Sequence, residues 1–88
     1  SYQADLELAE RLMLEAARST ERVLSAPPPV VWMKRFGESS VDFVIHCWIQ
    51  DPEEGVGNVQ SAVLRKLWVL FKEHGVELPF PQRDIHLR

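Results

Sequence analysis

Residues 41–50 read VDFVIHCWIQ, and this stretch decides the fold. Every odd-numbered position in it is apolar: Val41, Phe43, Ile45, Cys47 and Ile49. The even-numbered positions mix apolar and polar side chains. Because successive side chains of a strand point to opposite faces of a sheet, the alternation predicts a β-strand with one wholly apolar face. We expect helices to cover that face.

A second strand precedes this one in the chain. Residues 30–36 (VVWMKRF) are rich in β-branched and aromatic side chains, and residues 37–40 (GESS) have the composition of a tight turn. The two predicted strands, 30–36 and 41–50, therefore form a hairpin. Three prolines at 27–29 come just before it, and since proline lacks an amide proton they end the element that precedes the hairpin.

Helical periodicity flanks the hairpin on both sides. Residues 5–24 and 56–74 each repeat apolar side chains every three or four positions, which predicts two amphipathic helices. Gly75 stands where a left-handed cap would end the second helix. A proline-rich segment, 78–83, is unsuited to a central strand and leads into a short predicted strand at 84–87.

The predicted order α-β-β-α-β makes the chain a single α+β domain over residues 1–88. It is the order of a ferredoxin-like split β-α-β sandwich that lacks its first strand, with two helices on one face of a mainly antiparallel sheet.

The chain has no initiator Met, so we expect a fragment of a longer protein. In the complete fold the first strand pairs with the last, so we expect 84–87 to lack its partner. Copies of the chain would then form dimers or larger assemblies by pairing or swapping strands.

Composition and charge exclude several functions. The 88 residues are 45% hydrophobic and 26% charged, as in an ordinary soluble domain, and the net charge of −3 opposes binding to the phosphates of nucleic acids. No apolar run approaches the ~20 residues that a membrane-spanning helix needs. The single cysteine, Cys47, has no second cysteine in the chain with which to form a disulfide.

The sequence predicts no active site, cofactor site or metal site. The serines at 39–40 belong to the turn, the acidic pair at 53–54 lies in a loop, and no base is placed beside a nucleophile. His46 and Cys47 are adjacent on a strand and point to opposite faces, so they cannot bind one metal together. His86 would approach His46 if their strands were neighbours, but two histidines without a third ligand make a poor metal site.

The side of the hairpin away from the helices is predicted to be a mixed apolar and charged surface, with Lys34 and Asp42 among its residues. If the strand phases align, it gathers Trp32, Val44, His46 and Trp48. Exposed aromatic patches are typical of contacts with partners, so these four residues form a candidate interface between subunits or domains. The alternative is that a strand or loop of the same chain covers them.

Residues 74–87 (HGVELPFPQRDIHL) resemble the closing signature of the C-terminal cytoplasmic α/β domain of bacterial small-conductance mechanosensitive ion channels. Residues 23–30 and 36–41 are similar to two further motifs of that family, except that Glu38 stands where the family usually has Asp. The positions in these stretches that match the family motifs, and to which we assign structural roles, are Pro27, Pro29, Phe36, Gly37, Ser39, Ser40, Gly75, Pro79, Phe80, Pro81, Gln82 and Asp84.

The resemblance implies a function without catalysis or a cofactor. Channels of this family are heptamers whose cytoplasmic parts enclose a vestibule with side portals, and membrane tension opens their pore to relieve hypo-osmotic stress. By this likeness the chain would help to build the oligomeric cage and to filter solutes and ions, on the cytoplasmic side of the bacterial inner membrane. It would join the membrane only through transmembrane helices outside these residues. The alternative function is a ligand-sensing regulatory domain of a channel or transporter.

Overall fold

The computed structural model describes residues 2–36, 41–76 and 83–87, and it describes side chains within 6–34 and 42–76. Its elements, in chain order, are α1 (Tyr2–Arg18), β1 (Val30–Phe36), β2 (Val41–Cys47), a 3-10 turn (Pro52–Glu54), α2 (Gly57–His74) and β3 (Arg83–Leu87). The fold is α+β, as predicted, with the two helices packed on the antiparallel hairpin of β1 and β2.

The hairpin register is regular at its base and irregular near the turn. Val30 lies opposite His46 and Trp32 lies opposite Val44. The register shifts between Met33 and Arg35, so two residues of β1 oppose one of β2 over this step. A bulge of this kind increases the local twist of the strand pair.

The last strand has a partner within the chain. β3 pairs with β2 in parallel, with Ile45 beside Ile85 and Cys47 beside Leu87, and the described strands are ordered β1-β2-β3. The expectation that residues 84–87 lack a partner is therefore wrong. A parallel pair needs a long crossover connection, and the segment containing α2 supplies one between β2 and β3. Because one of the two described strand pairs is parallel, the arrangement is not the full ferredoxin-like sandwich.

The first helix ends at Arg18, before the predicted end at residue 24. The Thr20 hydroxyl donates a hydrogen bond of 2.8 Å to the carbonyl oxygen of Ala16, and the Ser19 hydroxyl donates one of 3.3 Å to the same atom. Such side-chain bonds compete with the backbone ladder of a helix. The Thr20 amide then donates to Ala17, three residues back, which tightens the last turn.

The segment after α1 runs beside the end of β2. The Leu24 amide donates a hydrogen bond of 2.7 Å to the carbonyl oxygen of Trp48, and Val23 forms an isolated antiparallel bridge with Ile49. β2 itself ends at Cys47 rather than at residue 50. The residues that were predicted as helix and strand ends thus pair with each other instead of extending their own elements.

The second helix ends as its sequence predicts. Gly75 has a φ of 65°, in the left-handed region. Its amide donates to Lys72 at 3.3 Å, and the Val76 amide donates to Phe71 at 2.9 Å, which together are the two hydrogen bonds of a Schellman motif. Val76 and Phe71 are both buried in the core, so an apolar contact accompanies the cap.

One hydrophobic core joins the helices to the sheet. The predicted apolar face of β2 contributes Phe43, Ile45, Cys47 and, beyond the strand, Ile49. From α1 the buried residues are Leu6, Ala9, Leu12, Met13, Ala16 and Ala17, and from α2 they are Val59, Val63, Leu67 and Phe71. The opposite face of the hairpin and the outer side of α2 do not belong to this core.

Candidate interaction surfaces

The helix-free face of the hairpin centres on an aromatic pair. The rings of Trp32 and His46 have centroids 4.6 Å apart and are tilted by 52°. The two residues are diagonal neighbours, because Trp32 lies opposite Val44 in the register. Trp32 is 58% exposed, whereas His46 is 8% exposed. The indole therefore packs on a buried imidazole and leaves much of its own surface open.

The four residues of the candidate interface differ in accessibility. Val44 and His46 are buried, Trp48 is half-buried, and Trp32 is exposed. The structure brings Trp32, Val44 and His46 together on one face, while Trp48 lies beyond the end of β2. A partner on this face would therefore meet Trp32 first. That the face is an interface stays a prediction.

A second exposed apolar surface, which the apolar spacing of the sequence does not distinguish from the core, lies on α2. We call it the α2 outer stripe and define it as Ser61, Leu64, Trp68 and Val69. Leu64 is 42% exposed, Trp68 62% and Val69 49%. The stripe lines a shallow groove that is open to solvent.

The spacing along α2 explains why this stripe was missed. Leu64 and Trp68 recur at a helical interval, so they read as part of the same apolar pattern as Val63 and Leu67. Each follows a core residue by one position, however, which turns its side chain about 100° around the helix axis. This angular offset is the signal that would have distinguished the outer stripe from the core.

The rim of the α2 outer stripe is basic. Arg65 and Lys72 are exposed beside it. The Lys72 ammonium lies 5.5 Å from the centroid of the Trp68 ring, within the range of a cation–π interaction. The only acidic residue of α2 is Glu73, in its last turn. The surface thus combines exposed apolar side chains with positive charge.

Two contacts tie the segment after α1 to the rest of the chain. The Arg22 Nε donates to both carboxylate oxygens of Asp51, at 3.0 and 3.1 Å, and its terminal nitrogen donates to the Asp51 carbonyl at 2.8 Å. The Lys66 ammonium donates to the carbonyl oxygen of Ser19. Since both cations already bind groups of the protein, this region does not present the free positive charges of an anion site. Neither contact has a local signal in the sequence.

Among the side chains that the structure describes, the residues considered for chemistry do not form a site. Burial raises the pKa of the Cys47 thiol to about 11, so the thiol stays protonated and unreactive at neutral pH. The backbones of His46 and His86 are partners in the β2–β3 pair, but the His86 side chain lies outside the described part. Within the described residues no group of three or more His, Cys, Asp or Glu side chains is placed to hold a metal.

Residues 1–78 match the family model described as "Mechanosensitive ion channel MscS, C-terminal". The chain belongs to the MscS channel family. This is a family of channel domains and not of enzymes. Of the helices that the structure describes, none has the length and apolar character needed to cross a membrane.

Relatives of the MscS family match over nearly the whole chain. An MscS family protein of Archaeoglobus fulgidus is 33% identical over 84 residues, which cover 96% of the chain and 29% of that relative. The small-conductance mechanosensitive channel of Helicobacter pylori is 26% identical over 87 residues, 99% of the chain and 31% of the relative. The mechanosensitive channel MscK of Escherichia coli is 28% identical over 87 residues, 99% of the chain and 8% of the relative. The chain thus spans less than a third of each, and no solved structure matches it significantly.

The MscS motif residues fall partly within the described chain. Pro27 and Pro29 lie in the connection before β1, where the Ala26–Pro27 peptide is cis and Pro29 is buried. Gly75 caps α2. The remaining motif positions have a side chain or the whole residue outside the described part: Phe36, Gly37, Ser39, Ser40, Pro79, Phe80, Pro81, Gln82 and Asp84. Their structural roles stay predictions.

Proposed function

We propose that the chain is the vestibule domain of a small-conductance mechanosensitive channel, on the cytoplasmic side of the bacterial inner membrane. Copies of it assemble, as a heptamer in the whole channel, into a cage that filters solutes and ions while the open pore relieves osmotic stress. The observation that carries the proposal is the match of residues 1–78 to the C-terminal MscS domain.

The distribution of exposed apolar residues supports a role in assembly. Trp32 lies on the helix-free face of the hairpin and Trp68 on the outer side of α2, and both indoles are more than half exposed. The core lies between these two surfaces. A domain with two separate surfaces for partners can contact a neighbour on each side, which is the requirement for a closed ring.

An osmotic downshock assay tests the proposal. The full-length protein is expressed in a bacterial strain whose own mechanosensitive channels have been deleted, alongside a variant without residues 1–88. We expect the full-length protein to restore survival of the downshock. The variant should lose the oligomer, as seen by cross-linking in membranes, and with it most of the survival.

Two results would contradict the proposal. One is full-length protein that reaches the membrane in normal amount but gives no protection. The other is a deletion variant whose oligomer and protection both equal those of the full-length protein. A control variant, Arg18→Ala, changes an exposed side chain at the end of α1 and should behave as the unmodified protein.

A further inference from the structure

The α2 outer stripe is an apolar surface that the folded domain leaves exposed. The helix already buries Val59, Val63, Leu67 and Phe71 on its core side. Trp68, on the other side, is 62% exposed. Large exposed aromatic and aliphatic side chains that adjoin an arginine have the composition of the buried centre of a protein interface.

The charge around the stripe restricts what can cover it. Arg65 and Lys72 border the stripe, and α2 as a whole has a net charge of +2 with His74 neutral. The whole chain has a net charge of −3, so the residues outside α2 carry −5. A second copy of this chain therefore offers acidic surface to a basic stripe, and opposite charges favour the encounter.

α1 presents an acidic surface of this kind. Leu14 is half-buried and is not a member of the core cluster formed by the described residues. Glu10 precedes it by one helical turn and Glu7 by two, so the three side chains share one side of the helix. Among the described residues neither glutamate has an ion-pair partner. We call Glu7, Glu10 and Leu14 the α1 acidic ledge.

We propose that the α2 outer stripe of one copy docks on the α1 acidic ledge of the next copy. Leu64 and Trp68 cover Leu14, and the basic rim pairs with Glu7 and Glu10. The two surfaces differ, so the contact is head-to-tail. Each copy then has a neighbour on both sides, and the copies close into a ring when the rotation from one to the next divides a full turn. The inference rests on the proposed function, because a ring of this domain is what a vestibule requires.

Cysteine cross-linking in the full-length protein tests the contact. Ser61→Cys and Glu7→Cys are introduced together, with native cysteines replaced by serine, and membranes are treated with a flexible bis-maleimide. A head-to-tail contact gives a ladder of bands beyond the dimer with the pair. Neither single variant gives that ladder. The control pair combines Ser61→Cys with Ser25→Cys, an exposed residue of the α1–β1 connection, and should give no ladder.

Charge reversal provides a second test that does not depend on cysteine placement. Lys72→Glu and Glu10→Lys should each lower the cross-linked fraction by about two- to fivefold, the range expected for exposed charge pairs. The two changes together should restore it. Recovery in the double variant would not follow if either residue acted only on folding.

Three results would overturn the docking contact. They are dimers formed by Ser61→Cys alone as efficiently as by the pair, the absence of a ladder, and charge reversals whose effects do not compensate. Tension-activated current is recorded from the same membranes. Current without a ladder refutes the docking and leaves the channel function standing, whereas a ladder without current supports the docking and refutes the channel function.

Discussion

At the residue scale, Arg22 joins two connections that are distant in the sequence. Its guanidinium binds both carboxylate oxygens and the carbonyl of Asp51, and this fork geometry is one that lysine cannot reproduce. Because the pair is only partly buried, we expect Arg22→Ala to lower the free energy of unfolding by about 1 kcal/mol. Arg22→Lys should recover little of it.

Urea denaturation checks this expectation. The matched control is Arg18→Ala, an exposed arginine without a partner among the described residues, which should shift the midpoint little. Equal destabilisation by Arg22→Ala and Arg18→Ala would show that the Asp51 contact contributes nothing.

The Cys47 thiol makes the free energy of unfolding depend on pH, and the sign of this dependence follows from its burial. Burial raises its pKa in the folded state from 9.0 to about 11. The folded state therefore holds the thiol proton more tightly than the unfolded state does. The contribution of the thiol to stability is complete below pH 9 and is lost as the pH rises toward 11. The loss should be about 1–3 kcal/mol.

Comparison with Cys47→Ala isolates this effect from other groups that titrate in alkali. The free energy of unfolding is measured for both proteins between pH 8 and 11, and it should fall less steeply for Cys47→Ala. Parallel curves would place the thiol in contact with solvent, against its burial.

Sequence predicts residue environments well only where the cause is local. The burial of Cys47 follows from the alternation in residues 41–50, where every odd-numbered position is apolar. The Arg22–Asp51 pair could not be predicted, because its partners are 29 positions apart and meet only through the folded chain. The alternation also does not predict that Val44 and His46 are buried while Trp32, beside them, is exposed.

At the element scale, the end of α2 depends on one backbone conformation. Gly75 is left-handed, and a Cβ there would meet nothing within 4 Å. The cost of Gly75→Ala is therefore conformational, about 1 kcal/mol. Gly75→Asn should cost less, since asparagine tolerates this region better than alanine. Thermal unfolding of both variants checks the order, and an equal cost for the two would contradict it.

The two apolar stripes of α2 should differ sharply in their contribution to folding. Leu67 is 2% exposed and Leu64 is 42% exposed. We expect Leu67→Ala to destabilise the domain by about 2–5 kcal/mol, because it leaves a cavity in the core. Leu64→Ala should cost less than about 1 kcal/mol. Similar losses in denaturant titrations would mean that the outer stripe is part of the folding core.

Elements are predictable from sequence where one pattern dominates, whereas their ends are predictable only where a local signal marks them. β1 has the predicted bounds, and the Schellman cap of α2 follows from Gly75 and Val76. The end of α1 was misplaced because the hydroxyls of Ser19 and Thr20 bind the helix carbonyl, which apolar spacing does not register. The partner of β3 was misplaced because strand pairing is decided by the tertiary fold.

At the scale of the whole molecule, the pairing of β3 with β2 changes the reason for assembly. Since β3 has a partner in its own chain, an unpaired last strand is no longer an argument for strand swapping. The apolar side chains that remain exposed on the helix-free face and on α2 are the better argument. The vestibule proposal draws on both of these surfaces, whereas the head-to-tail contact draws on α2 and on the acidic side of α1.

Patch-clamp recording from spheroplasts that express the full-length protein, with and without residues 1–88, is the sharpest test of the channel function. We expect a tension-activated current from the full-length protein, and an altered or lost current when the domain is deleted. Silence under tension, with current or transport appearing only after a cytosolic solute is added, would contradict this expectation and favour a ligand-sensing regulatory domain.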